Sequence, residues 1–169
     1  MNRNTILAMI LLFLLVSIGL AFASENLDSA KRLLEAQEYT KACEILRKLT
    51  EKDPSNAAAW VLLGNSYGRL GEDKDAIEAY EKAIGIDPEN EEAFFGLGAC
   101  YSKMHKHLFA IEAYKKVIEL NPNHAAAHFE LGFTYDRTAS LTKAFEQYKI
   151  LKNLDEDLAD KLYHIILGD

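Results

Sequence analysis

Along most of the chain, apolar residues recur at steps of three and four rather than alternating. Leu62, Leu63, Tyr67 and Leu70 share one helical face, and Ala76, Ile77, Tyr80, Ala83 and Ile84 share another. Gly71-Glu72-Asp73 between them is a short polar break suited to joining two antiparallel helices. Pro54, Pro88 and Pro122 set a period, because each stands 34 residues from the next. The residue before a proline disfavours the α region, so Asp53, Asp87 and Asn121 mark where helices stop.

The period carries side chains with it. The block 57–90 has Trp60, Leu63, Gly64, Tyr67, Ala76, Tyr80, Ala83 and Pro88. At the same offsets, 91–124 has Phe94, Leu97, Gly98, Tyr101, Ala110, Tyr114, Val117 and Pro122. The block 125–158 has His128, Leu131, Gly132, Tyr135, Ala144, Tyr148 and Leu151, with Glu156 in place of proline. On these positions the chain resembles the tetratricopeptide repeat family over nearly all of its length beyond residue 23. The resemblance implies an all-α fold, a right-handed superhelical solenoid of antiparallel helix pairs. Residues 24–56 form a degenerate first repeat, keeping Ala42, Leu46, Leu49 and Pro54 but not the first-helix signature. At the other end Asp155-Glu156-Asp157 offers an N-cap and an acidic first turn to one more helix within 155–169. That helix carries Leu158, Leu162, Ile165 and Ile166 on one face, which suits a cap over the last repeat.

A glycine inside a helix costs ~1 kcal/mol against alanine. The return of Gly64, Gly98 and Gly132 every 34 residues therefore implies close helix approach, with the small Ala76, Ala110 and Ala144 expected across the contact. His105 stands where a turn glycine is common in this family, so that turn is expected to be strained or differently shaped.

Composition changes the picture at the N-terminus. Met1 to Ala23 holds 17 apolar residues, no acid, and Arg3 as its one charge. It ends in Ala21-Phe22-Ala23, a small-x-small pattern suited to cleavage before Ser24. The segment is read as a signal peptide, with a retained N-terminal membrane anchor as the alternative. Both readings imply an exported chain, periplasmic or secreted if cut and membrane-anchored if not. The net charge of −7 argues against a nucleic-acid partner. Cys43 and Cys100 fall two blocks apart, and the intervening helix pair separates them beyond disulfide reach.

Chemistry is sparse. Neither a phosphate-cradling glycine loop nor a nucleophile elbow is present, so no enzyme activity, cofactor or metal is expected. His124 and His128 have metal-ligand spacing, but His128 occupies the packing position of Trp60 and Phe94 and is assigned to the core. The resemblance places a concave binding face on the first helices. There it gives Val61, Phe95 and Phe129 at one register position, and Asn65, Ala99 and Phe133 at a second. Arg69, Lys103 and Arg137 form a cation ladder at a third. An aromatic track beside cations suits an extended or short helical peptide with apolar and acidic groups. The competing reading has the cations serving helix C-termini and the phenylalanines covered by the terminal helix. The chain is thus read as a scaffold for a protein or peptide partner; a self-assembling homo-oligomer is the alternative. A version of this fold clamps acidic C-terminal peptides with lysine and asparagine. Here Val61 and Gly96 replace two clamp positions, so that activity is not carried over.

Overall fold

The computed structural model describes residues 26–168; the N-terminal segment read as a leader lies outside them. All regular structure among the described residues is helical: α1 (26–35), α2 (Tyr39–Lys52), α3 (Ala57–Leu70), α4 (Asp73–Ile86), α5 (Glu91–Lys103), α6 (His107–Leu120), α7 (Ala125–Arg137), α8 (Leu141–Leu154) and α9 (Glu156–Leu167). Each helix packs on its chain neighbours, and α3 also touches α5, so the pairs stack into an all-α solenoid.

The periodic sequence writes periodic caps. Asn56, Asn90 and His124 each accept a hydrogen bond from the backbone N–H three residues on, at Ala59, Ala93 and Ala127. His124 does so through Nδ1, which fixes that nitrogen as an acceptor. Between the helices of each pair the chain makes a left-handed turn at Gln37, Gly71, His105 and Ala139, with φ between 54° and 79°. At all four the N–H of the next residue donates to the carbonyl five residues back, as in Lys106 to Tyr101 at 2.9 Å. Only Gly71 adopts this conformation without cost; His105 and Ala139 hold it against their Cβ atoms.

The small residues also resolve. A Cβ on Gly64 would lie 2.6 Å from the Tyr80 ring, and one on Gly98 would lie 2.7 Å from the Tyr114 ring. The partner of each glycine is therefore a tyrosine of the paired second helix. Ala76 and Ala110, expected across that contact, are fully buried in the same clusters as these tyrosines, but the rings and not the alanines are the nearest groups to Gly64 and Gly98. Tyr80 also lies against Gly96 of the next repeat, so one ring is wedged between α3 and α5 where both lack side chains. In the last repeat Leu162 of α9 takes the place of the ring, 2.5 Å from a Cβ built on Gly132.

His128 is buried in the core. Its Nε2 donates to the Pro122 carbonyl at 3.0 Å, as Trp60 Nε1 does to Pro54 at the same offset. Its Nδ1 lies 2.7 Å from the Gln147 carboxamide. Both cysteines are buried free thiols in different core clusters.

Candidate functional site

A cleft of about 420 Å³ opens where α1, α3 and α5 converge. Leu34 and Tyr39 of the first repeat line it together with Phe95 and Ala99 of α5. Gly68 and Gly96 contribute no side chain to the lining, and Arg69 and Lys103 contribute two cations.

Its polar groups are tied together. Tyr80 Oη donates to Asn65 Oδ1 at 2.7 Å, and Asn65 Nδ2 donates to Glu92 Oε1 at 2.8 Å. Asn65 thus has both ends of its amide engaged, and its ordering comes from the wedged tyrosine beneath it. Lys103 Nζ donates to the Gly68 carbonyl at 3.0 Å and lies 3.7 Å from Asp73. That contact anchors the α5 cation across the last turn of α3, complementing its exposed carbonyls. Arg69 of the same lining is exposed. Burial raises the Tyr80 hydroxyl well above its ordinary value and pushes the Cys100 thiol up to about 11, so neither ionises at neutral pH. A cysteine held as the thiol is a poor nucleophile.

The expected groove residues divide. Asn65, Arg69, Phe95, Ala99 and Lys103 meet in the cleft. Val61 does not: only 3% exposed, it packs with Tyr80, Ala93 and Leu97 in the core. Its branched side chain is short enough to be swallowed between α3 and α5. Phe95, one repeat later, is larger and remains half-buried, stacked on the His124 ring at 5.1 Å. Phe129 and Phe133 pack against the cluster that α9 forms with Leu151, Ala159 and Leu162. Lys161 of α9 stands 5.2 Å over the Phe129 ring. Arg137 is exposed on the last turn of α7, outside the cleft.

Leu34, Tyr39, Gly68, Tyr80, Gly96 and Cys100 line the cleft without having been assigned to it from the sequence. Leu34 and Tyr39 belong to the degenerate first repeat, where register positions carry no family signal. Tyr80 was legible as a packing position, and its hydroxyl reaches the cleft only because Gly64 and Gly96 let the ring through. Among the described residues, no group of three or more His, Cys, Asp or Glu side chains is placed to hold a metal ion.

Antiparallel helix pairs repeating every 34 residues, with a small-residue seam and an inner cleft, define a tetratricopeptide repeat protein. Within that class, the chain belongs to the family described as the cytochrome c-type biogenesis protein H TPR domain, which matches residues 21–159. It is similar in structure to MamA, with a TM-score of 0.78 at 26% identity over 85% of this chain and 78% of that one. A second MamA structure aligns at 0.72 and 25% identity, covering 82% of this chain and 92% of that one. YrrB, described as a TPR protein with an unusual peptide-binding site, aligns at 0.74 and 27% identity over 83% and 72%. No curated protein sequence matches the chain.

Proposed function

We propose that this chain is a non-catalytic protein-interaction module whose α1/α3/α5 cleft holds a short segment of a partner protein. The observation that carries this reading is the cleft itself: an apolar lining from Leu34 and Phe95, an ordered Asn65, and two cations. Such a surface suits a segment that buries one or two apolar side chains and points a carboxylate at Arg69 or Lys103. The α9 cover over Phe129 and Phe133 shortens the binding track compared with the full concave face. Peptide binding by YrrB, a structural relative, supports the reading. An exported setting is part of the proposal, supported by the cytochrome-biogenesis family match and the apolar N-terminal sequence. No helix among the described residues is long and apolar enough to cross a membrane.

The test is selection from a displayed peptide library, followed by titration against the Arg69→Ala/Phe95→Ala double variant. Selected peptides should pair aromatic or aliphatic residues with an acid and lose at least tenfold in affinity for the variant. Peptides without an acid, or unchanged affinity, would overturn the assignment.

A further inference from the structure

The four turns that join paired helices lie along one edge of the solenoid, and they differ in character. In matching register, 35–43 contains Glu35 and Glu38, and 69–77 contains Glu72, Asp73 and Asp75. The corresponding 103–111 and 137–145 contain no acid at all, in a chain of net charge −7. The same two segments carry large apolar side chains in solvent: Leu108 is 76% exposed, Phe109 60% and Leu141 48%. The repeat does not require them, because the positions of Leu108 and Phe109 are filled by Lys74 and Asp75 one repeat earlier. Around them stand cations on aromatic rings. Lys106 lies 5.8 Å from the Tyr101 ring, which packs on Phe109 at 5.2 Å, and Lys143 lies 5.4 Å from the Tyr135 ring.

We infer that the edge formed by the 103–111 and 137–145 turns docks on an anionic lipid surface, inserting Leu108, Phe109 and Leu141 while Lys106 and Lys143 meet the headgroups. The charge pattern calls for an acidic counterpart, and the shape selects a lipid surface over a protein. These side chains protrude from the first turns of their helices, and a protein partner would need matching sockets. An interfacial lipid layer accepts protruding Phe and Leu without any. Each lysine near an anionic leaflet adds to the attraction, which falls off within a Debye length. Leu108, Phe109, Leu141, Lys106 and Lys143 all stand outside the cleft lining, so this docking does not rest on the peptide reading.

The full chain carries one tryptophan, Trp60. In a Trp60→Phe/Phe109→Trp chain, emission should shift to the blue, and brominated lipid should quench it, on phosphatidylglycerol vesicles but not on phosphatidylcholine. Adding Lys106→Glu and Lys143→Glu should weaken that response at least tenfold. A chain held only by its N-terminal segment would leave position 109 in water. No shift on phosphatidylglycerol overturns the inference, as does a shift indifferent to lipid charge or to the two substitutions. An edge serving an acidic protein gives the first of these negative results.

Discussion

Two glycines inside helices offer an internal control on how the helix pairs are held. Gly85 in α4 has nothing within 4 Å of a built Cβ, whereas on Gly98 in α5 that atom would lie 2.7, 2.9 and 3.0 Å from three atoms of the Tyr114 ring. Alanine relieves the same backbone penalty at either site, up to ~1 kcal/mol. Gly85→Ala should therefore stabilise the chain by that order, with a rise in Tm of roughly 2–4 °C. At Gly98 the gain is opposed by displacement of a fully buried ring. Overpacking of this kind costs ~1–3 kcal/mol. Gly98→Ala should accordingly fall below Gly85→Ala by about that amount, and Gly98→Leu lower still. Thermal and urea unfolding of the three variants measure it directly. Equal stability of the two alanine variants would refute the wedged-ring account of pairing.

Tyr114 is the counterpart of Tyr80, but Ala99 stands where Asn65 would receive its hydroxyl, and that oxygen has no hydrogen-bond partner. Ala99→Asn should add ~1 kcal/mol, and Tyr80→Phe should cost ~1 kcal/mol while Tyr114→Phe is neutral or stabilising; equal losses in unfolding free energy for the two phenylalanine variants would contradict the pairing. His105→Gly and Ala139→Gly should each stabilise by ~1 kcal/mol, because the left-handed turn then carries no Cβ, and a fall in Tm would refute the strain. Burial raises the Glu130 carboxyl above its ordinary 4.5, opposed by Lys161. Its ionised form is therefore penalised in the folded state: stability should rise as pH falls through the raised value, and the contribution levels off below 4.5. Glu130→Gln should raise Tm at neutral pH and lose that advantage in acid; a pH-independent difference would contradict the burial.

The helix pairing was legible because it is periodic: the 34-residue spacing of the prolines fixed each pair, and the signature glycines fixed where pairs touch. What meets those glycines was not legible. An alanine and a tyrosine four residues apart both face inward on the second helix, and only the packed structure shows which one fills the notch. A strained or differently shaped turn was expected at His105 alone, yet Gln37 and Ala139 adopt the same left-handed conformation, because the turn follows from the repeat geometry rather than from the residue. At the site, Arg69, Lys103 and Phe95 were readable from register. The loss of Val61 to the core depends on side-chain length between two closely approaching helices. The cover over Phe129 and Phe133 depends on where a single non-periodic helix docks, and no repeat encodes that.

The proposed partner segment sits in the α1/α3/α5 cleft and not farther along the concave face. One library-selected peptide, titrated calorimetrically against two double variants, decides it. Arg69→Ala/Phe95→Ala should weaken binding at least tenfold, and Phe133→Ala/Arg137→Ala should leave it within about twofold. The reverse order of effects would place the ligand under α9 and contradict the account.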